Sequence, residues 1–166
     1  LVGINVTIPY KSEVLPYISH LDKAAKEIGA VNCIKIKRTI QSIVTYGYNT
    51  DAFGFRKSIE SLLMPWHTSA LVLGNGGAAK AVIFVLKSLN IETQMVSRNR
   101  KSNTIDYKDL TKEIIQHNLL IINTTPLGMF PNIADFPPIP YPYITEKHLL
   151  YDLIYNPYET EFLAKG

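Results

Sequence analysis

This sequence has few of the cysteine and histidine residues on which disulfide-stabilised proteins and metalloproteins depend. It has one cysteine, Cys33, which excludes an internal disulfide and is typical of a reducing compartment. Its four histidines are scattered along the chain without metal-ligand spacing, so we predict no metal site. No Gly-x-Ser-x-Gly segment occurs, and acyl transfer by a serine at such a turn is therefore unsupported.

Long apolar runs and a strong charge of either sign are also missing. No apolar run is long enough to cross a membrane and no signal peptide is recognisable. The net charge is +3, with the basic residues scattered, which gives no indication of nucleic-acid binding. We therefore expect a cytoplasmic globular protein with 46% hydrophobic residues, enough for a core in 166 residues.

The most informative stretch is residues 69–79, where an apolar run leads into a cluster of glycines. A buried strand is predicted at 70–73 and a helix at 80–89, and the turn before that helix reads Gly-Asn-Gly-Gly-Ala-Ala. This is a form of the dinucleotide-binding fingerprint, and a second strand at 92–98 completes a βαβ unit. A glycine cluster alone also marks ordinary turns, so it is the context that favours a nucleotide site.

Each small residue of this turn has a mechanical reason in a nucleotide-binding protein. Gly74 allows the sharp turn, Gly76 lets a pyrophosphate approach the backbone, and Ala79 lets the helix pack close to the strand. The helix N-terminus then presents free N–H groups and the positive end of its dipole to the phosphates. The predicted cofactor-binding residues of the turn are Gly74, Asn75, Gly76, Gly77 and Ala78.

A basic cluster follows the second strand of this unit, where an NAD-binding protein usually has an acid for the ribose 2′-hydroxyl. The cluster reads Ser97-Arg98-Asn99-Arg100-Lys101, and a guanidinium at this place can pair with a 2′-phosphate. The alternative is a solvated basic turn. The hypothesis that follows is NADP rather than NAD.

Strands and helices alternate from residue 69 onward, which predicts a parallel sheet built through crossover connections. The predicted elements are strands at 69–74, 92–97, 119–123 and 149–153, and helices at 77–89, at about 107–116 and after the last strand. The stretch 131–142 holds five prolines and is expected to be a rigid irregular excursion.

The first part of the chain has a different pattern, with a strand at 1–8, a helix at 21–28 and a hairpin of strands at 31–37 and 42–46. We therefore predict a first, truncated lobe at residues 1–50 and a Rossmann-type nucleotide-binding domain at 51–166. The chain begins inside an apolar strand without an initiating methionine and stops just after a helix. We expect it to be part of a longer protein, clipped at both ends.

Several polar residues stand where propensity favours other types. Asn5 and Thr7 lie in an apolar strand, Asn32 lies between apolar strand residues, and Asp51 closes a loop. Lys11 follows closely after a proline. Taken alone, Lys11 is more typical of a solvated lysine at a helix start, where the helix dipole slightly disfavours it.

Six motifs occur in order along nearly the whole chain. They are Asn5-Val-Thr-Ile-Pro-Tyr-Lys11, Gly29-Ala-Val-Asn32, Gly47-Tyr-Asn-Thr-Asp51, Gly74-Asn-Gly-Gly-Ala-Ala79, Asn123-Thr-Thr-Pro-Leu-Gly-Met129 and Tyr151-Asp-Leu-Ile-Tyr-Asn-Pro157. Together they resemble the motifs of shikimate dehydrogenases, which reduce 3-dehydroshikimate to shikimate with NADPH in aromatic amino-acid biosynthesis. The resemblance implies an α/β fold, with a Rossmann-like parallel-sheet NADP-binding domain and an α/β substrate-binding domain of which residues 1–50 are part.

The resemblance also implies a role for each residue of the site. Lys11 is the acid–base group and Asp51 its partner; the carboxylate holds the amine and favours its charged form. A lysine held in this way can give a proton to the developing alkoxide as hydride arrives. Thr7, Asn32 and Tyr155 resemble the ligands of the substrate hydroxyls, and a polyol carboxylate needs such a ring of hydrogen-bond partners.

On the cofactor side, Ser97, Arg98 and Asn99 resemble the Asn-Arg-Thr segment that grips the adenosine phosphate, with serine in place of the commoner asparagine. Thr125 belongs to a segment that lines the nicotinamide side, with Leu153 behind it. The family's carboxylate-binding serine pair and its C-terminal glutamine-bearing helix have no counterpart in this sequence. We therefore expect these residues alone to bind NADP but to turn over poorly.

Two other functions remain open at this stage. One is a quinate/shikimate dehydrogenase that uses NAD, against which the Arg98 cluster counts. The other is a non-catalytic nucleotide-binding regulatory module, against which the presence of both Lys11 and Asp51 counts. The expected partner is the small-molecule substrate, and the expected assembly is a monomer or a homodimer.

Overall fold

The computed structural model of the chain describes residues 1–98 and 104–166. They form two compact units, one of Leu1–Ser61 with Gly76–Val85 and the other of Leu62–Asn75 with Leu86–Gly166. Each unit has its own sheet.

The sheet of the first unit has four strands in the order β1–β3–β4–β2. The strands are β1 (Gly3–Asn5), β2 (His20–Leu21), β3 (Cys33–Arg38) and β4 (Ile43–Tyr48). The antiparallel pairing of β3 with β4 confirms the predicted hairpin, whereas β1 is much shorter than the strand predicted at 1–8. β1 ends at Asn5, and a turn closed by the Tyr10 N–H on the Thr7 carbonyl follows at 2.9 Å.

Two helices of this unit have an aspartate at their N-terminal end. In α1 (Lys23–Ile28) the Asp22 carboxylate accepts the Ala25 N–H at 2.8 Å, and Gly29 ends the helix with a φ of 67°, a conformation that favours glycine. The second helix, α2 (Asp51–Ile59), begins with an acidic residue, which the positive end of the helix dipole stabilises. Ala25, Val31 and Ile34 form one buried hydrophobic cluster of the unit.

The sheet of the second unit has five parallel strands in the order β7–β6–β5–β8–β9. They are β5 (Ser69–Leu73), β6 (Glu92–Val96), β7 (Thr104–Ile105), β8 (Leu120–Asn123) and β9 (Leu149–Asp152). All residues of β5 and β8 are buried, as expected for strands covered on both faces. The predicted Rossmann-like α/β fold is thereby confirmed, and β7 is a short edge strand that the pattern did not indicate.

Three further helices are α3 (Gly77–Ser88), α4 (Lys112–His117) and α5 (Glu161–Ala164). The helix predicted at about 107–116 is wrong in its first half. Asp106 caps a separate 3-10 turn by accepting the Lys108 N–H, and Thr111 then caps α4 by accepting the Ile114 N–H. Two capping residues five positions apart therefore start two elements instead of one.

The core of the second unit consists of strand residues and of the side chains that cover them. One hydrophobic cluster of this core consists of the buried residues Leu71, Leu73, Val96, Tyr107, Leu110, Ile115, Ile121, Ile139 and Phe162. The proline-rich stretch 131–142 has no helix or strand before the 3-10 turn Tyr141–Tyr143, as expected. Across residues 1–98 and 104–166, no helix is long and apolar enough to span a bilayer.

Candidate active site

The centre of the candidate site is an ion pair between Lys11 and Asp51. The ammonium Nζ donates to Asp51 Oδ2 at 2.7 Å, and the two side chains are 15% and 33% exposed. Forty positions separate the two residues in sequence, and both belong to the first unit. The carboxylate fixes the position of the amine, and neither side chain is fully buried.

Asn32 holds the other oxygen of the same carboxylate. Its amide nitrogen donates to Asp51 Oδ1 at 2.7 Å and to Thr50 Oγ1 at 2.9 Å, and its carbonyl oxygen accepts the Thr50 N–H at 2.9 Å. The backbone N–H of Asn32 donates to Tyr48 O at 3.0 Å, which anchors it to the end of β4. Both amide hydrogens of Asn32 are thus engaged in orienting Asp51 and Thr50.

The other two candidate substrate ligands are exposed. Thr7 lies in the turn after β1, and the preceding residue, Val6, donates its N–H to Asn32 O at 2.8 Å, which brings this turn next to Asn32. Tyr155 belongs to the second unit, and its side chain is 92% exposed. Both side chains are therefore free to meet a ligand.

The glycine turn has the geometry that the fingerprint demands at two of its positions. Gly74 has a φ of 111°, and a Cβ there would lie 2.6 Å from Thr124 Oγ1, so only glycine fits. Around Gly76, apart from its two chain neighbours, no atom of the described residues lies within 4 Å of a built Cβ. Asn75 is exposed, whereas Ala79 is fully buried. The turn therefore offers open space at Gly76 for an approaching phosphate.

The residues after β6 are described in part. Ser97 is buried, and its N–H donates to Ile105 O at 2.9 Å, which closes β6 onto β7. Arg98 is exposed and close enough to Tyr107 for its positive charge to oppose the rise in pKa, to about 12, that burial gives that phenol. Asn99 lies outside the described residues.

A hydrogen-bonded network joins the carboxyl ends of β8 and β9. Asn123 Nδ2 donates to Asp152 Oδ1 at 3.1 Å, and Thr160 Oγ1 donates to Asp152 Oδ2 at 2.7 Å. Asn123 Oδ1 in turn accepts the N–H and the hydroxyl of Thr125 at 3.0 and 2.7 Å. The N–H of Leu153 donates to Asn123 O at 3.1 Å. The network fixes Thr125 and Leu153, the two residues assigned to the nicotinamide side.

Burial raises the pKa of Asp152 above its usual value of 3.8, and the hydrogen bonds that it accepts, from Ile154 N–H, Thr160 and Asn123, oppose this rise. Sequence reasoning did not single out Asp152, Thr160 or the side chain of Asn123. The available signal was the position of two polar residues at the ends of two apolar strands. No cluster of histidine, cysteine, aspartate and glutamate able to hold a metal ion occurs within residues 1–98 and 104–166.

The second unit holds a Rossmann-like parallel sheet, and the first unit holds a lysine–carboxylate pair. Comparison with known proteins shows which proteins the chain is similar to. The model of the shikimate dehydrogenase substrate binding domain matches residues 1–34. The chain is 42% identical over 175 residues to the shikimate dehydrogenase (NADP(+)) of Clostridium beijerinckii, covering 99% of this chain and 62% of that protein.

Solved structures agree with this result. The crystal structure of shikimate dehydrogenase 1 from Peptoclostridium difficile has a TM-score of 0.83 at 38% identity, over 100% of this chain and 61% of that one. The quinate dehydrogenase of Corynebacterium glutamicum in complex with NAD has a TM-score of 0.82 at 27% identity, over 99% and 63%. Over nearly its whole length the chain is similar to shikimate dehydrogenases, and it spans about three fifths of the length of these relatives.

Proposed function

We propose that the protein to which this chain belongs reduces 3-dehydroshikimate to shikimate with NADPH. The observation that carries the proposal is the 2.7 Å ion pair of Lys11 with Asp51, in a chain similar to shikimate dehydrogenases. In the proposed reaction the lysine transfers the proton and the aspartate holds the lysine in place, so both residues are required. We place the enzyme in the cytoplasm, as a monomer or homodimer, without a metal, nucleic acid or membrane as partner.

In this reaction the chain supplies and retrieves one proton. The reduced nicotinamide supplies the hydride when it is bound. As negative charge develops on the carbonyl oxygen of the substrate, Lys11 Nζ gives it a proton, and in the reverse direction the neutral amine takes the proton back. Asp51 keeps the amine oriented in both states, and Asn32 keeps Asp51 oriented in turn. The atoms balance, since one hydride and one proton convert the ketone to the alcohol.

The residues of the glycine turn fit an NADP pyrophosphate. The first N–H groups of α3 have no acceptor within the helix, so they are available to bind an anion. The space beside Gly76 is not filled by any described residue other than its chain neighbours. We propose that the turn residues Gly74, Asn75, Gly76, Gly77 and Ala78 hold the pyrophosphate. Ser97, Arg98 and Asn99 are proposed for the adenosine phosphate, and Thr125 and Leu153 for the nicotinamide.

Substrate recognition is proposed for Thr7, Asn32 and Tyr155, which would bind the hydroxyl groups of 3-dehydroshikimate. The exposure of Thr7 and Tyr155 supports this role. A hydroxyl-binding site discriminates strongly, because an analogue without the hydroxyl leaves a polar group unpaired. The domain assignment proposed with this function is residues 1–50 for substrate and 51–166 for NADP.

The second candidate function is an NAD-dependent quinate/shikimate dehydrogenase. The similarity to a quinate dehydrogenase solved with NAD favours it. The sequence identity to that enzyme is 27%, lower than the 42% to the Clostridium shikimate dehydrogenase. Arg98 argues for NADP, since NAD has no 2′-phosphate for a guanidinium to pair with. A regulatory module without turnover would not need the intact Lys11–Asp51 pair.

The test measures oxidation of NADPH with 3-dehydroshikimate, using protein expressed from its complete gene and the Lys11→Ala variant. We expect turnover by the wild type and a loss of about 100-fold or more in kcat for the variant. Substitution of NADH and of 3-dehydroquinate in the same assay separates the second candidate. Equal rates for wild type and variant would remove Lys11 from the mechanism, and turnover only with NADH and 3-dehydroquinate would favour the quinate enzyme.

A further inference from the structure

Gly77, the first residue of α3, faces the stem of Lys11. A Cβ built on Gly77 would lie 2.9 Å from Lys11 Cβ, 3.4 Å from its Cδ and 3.6 Å from Ala30 Cβ. Two Cβ atoms do not approach to 2.9 Å, so any side chain at position 77 would displace Lys11. Gly77 is not among the glycines with positive φ, and the backbone therefore does not demand glycine here. Position 77 is a glycine because the side chain of Lys11 occupies the space that a Cβ would need.

Lys80, one turn further along α3, ties the residue after Lys11 to the end of α1. Its Nζ donates to Ser12 Oγ at 3.0 Å and to Gly29 O at 3.3 Å, and Ser12 Oγ donates to the same Gly29 carbonyl at 3.1 Å. A lysine in the first turns of a helix is disfavoured by the dipole of its own helix. Here the ammonium lies at the C-terminal cap of α1, where a cation is favoured.

The main chain of Lys11 is held from a further side. Lys11 O accepts the N–H of Val31 at 2.7 Å, so residues 11 and 12 are bonded to both ends of the stretch 29–31. All these contacts lie within the first unit, which includes Gly76–Val85. Residues 11 and 12 therefore have the stretch 29–31 on one side and the start of α3 on the other.

We propose that Gly77 and Lys80 are positioning residues for Lys11. Gly77 leaves the space that the stem of the lysine occupies, and Lys80 clamps Ser12, so that the amine meets Asp51 in one geometry. The proposal rests on the acid–base role proposed for Lys11. The phosphate-binding fingerprint does not explain a glycine at position 77 by the space that Lys11 needs, and this proposal does. Lys80 would affect the reaction through the position of Lys11, without contacting the substrate.

The first experiment compares Lys80→Met and Lys80→Arg with a matched control, Lys87→Met, which removes an exposed lysine from the last turn of the same helix. The protein is expressed from its complete gene and assayed with NADPH and 3-dehydroshikimate. We expect Lys80→Met to lower kcat about 10-fold with little change in KM for NADPH, since a small misplacement of a reacting group affects the chemical step. Lys80→Arg restores most of kcat, because a guanidinium also reaches two acceptors, and Lys87→Met behaves as the wild type.

The second experiment needs no turnover. Limited acetylation with acetic anhydride, read by peptide mass spectrometry without cofactor or substrate, reports how accessible Lys11 is. We expect faster acetylation of Lys11 in Lys80→Met and in Gly77→Ala than in the wild type. Gly76→Ala is the matched control for Gly77→Ala, because a Cβ at Gly76 meets no described atom within 4 Å, and it leaves the acetylation rate unchanged.

The two experiments separate the inference from the function on which it rests. A wild type without activity on 3-dehydroshikimate would refute the proposed function, while Lys11 acetylation would still report positioning. Unchanged Lys11 acetylation in both Lys80→Met and Gly77→Ala overturns the inference, whatever the activity. An active wild type with an equally active Lys80→Met overturns the part assigned to Lys80.

Discussion

Asn123 and Asp152 lie opposite each other at the carboxyl ends of β8 and β9, with the asparagine amide nitrogen 3.1 Å from the aspartate oxygen. In a parallel α/β sheet this edge is where ligands bind. Each of the two side chains also bonds the backbone of the loop that follows its strand, at Thr125 and at Ile154. One pair of residues therefore fixes two loops of the edge at which we propose that the cofactor binds.

The hydrogen bond from Thr160 to Asp152 should contribute measurably to stability. Thr160 is 1% exposed, and its hydroxyl lies 2.7 Å from the carboxylate, so Thr160→Val leaves a half-buried charge with one partner fewer. We expect Thr160→Val to lower the free energy of unfolding by about 1.5–3 kcal/mol, the range for hydrogen bonds to charged groups. Thr160→Ser, which keeps the hydroxyl, is the control and should lose clearly less. Urea unfolding measures both; equal losses would assign the effect to packing of the methyl group.

The raised pKa of Asp152 predicts the sign of a pH dependence. In the unfolded chain an aspartate has a pKa of about 3.9, and in the folded protein burial raises the pKa of Asp152. Between the two values the folded state holds more protons, so this contribution to stability is complete below the unfolded pKa and is lost as pH rises through the folded pKa.

Asp152→Asn removes that contribution. We expect the difference in free energy of unfolding, wild type minus Asp152→Asn, to fall as pH rises from about 3.5 and to level off once the native carboxyl is ionised. Urea titrations of both proteins across this range provide the measurement. A difference that grew with pH would mean that the hydrogen bonds from Ile154, Thr160 and Asn123 outweigh burial and that the pKa of Asp152 is lowered.

Gly74 and Gly76 should respond to alanine in opposite ways. At Gly74 an alanine would adopt a φ of 111° with its Cβ 2.6 Å from Thr124 Oγ1, so we expect Gly74→Ala to destabilise the fold by about 1–3 kcal/mol or more. At Gly76 a Cβ meets no described atom, and stability should stay the same or rise by up to about 1 kcal/mol.

Binding of NADPH provides the second half of this comparison. We expect Gly76→Ala to weaken it by at least about tenfold, or 1.4 kcal/mol, because the pyrophosphate must approach the backbone closely. Thermal unfolding and fluorescence titration with NADPH measure the two effects on one preparation. If Gly76→Ala bound NADPH as tightly as the wild type, the phosphates would not lie at this glycine.

Part of this architecture could be predicted because it is local in sequence. The structure of β5, of β8 and of the glycine turn is determined by short stretches of sequence. These elements were predicted at nearly the observed bounds. The pairing of Lys11 with Asp51 spans 40 positions, and only the resemblance to a family brought the two together. Periodicity carries no information about such a contact.

The remainder depends on tertiary packing. The sequence of the turn does not predict that Gly77 packs against Lys11, because this contact depends on where residues 10–12 lie in the fold. The bond from Thr160 to Asp152 likewise requires the segment after β9 to return to the strand end. β7 has two residues at an edge, too few for a pattern. The helix predicted at about 107–116 is wrong in its first half, because Asp106 and Thr111 each cap a separate element.

Asn32 is the residue at which the resemblance and the geometry emphasise different roles. The resemblance assigns it to a substrate hydroxyl, whereas its amide hydrogens point to Asp51 and Thr50 at 2.7 and 2.9 Å. Loss of a substrate ligand raises KM, and loss of the group that orients Asp51 lowers kcat. We expect Asn32→Ala to lower kcat for 3-dehydroshikimate by about tenfold or more, with a smaller change in KM.

A double-mutant cycle with Asp51→Asn decides how Asn32 acts. If Asn32 works through Asp51, adding Asn32→Ala to Asp51→Asn changes kcat much less than Asn32→Ala does in the wild type, because residues that act as one unit are not additive. Asn49→Ala is unsuitable as a control, since the Asn49 side chain accepts the Ala52 N–H and donates to Ala30 O, so Gln41→Ala, exposed in the turn between β3 and β4, serves instead. Fully additive losses, or a rise in KM without a fall in kcat, would return Asn32 to direct contact with the substrate and leave Asp51 oriented by Lys11 alone.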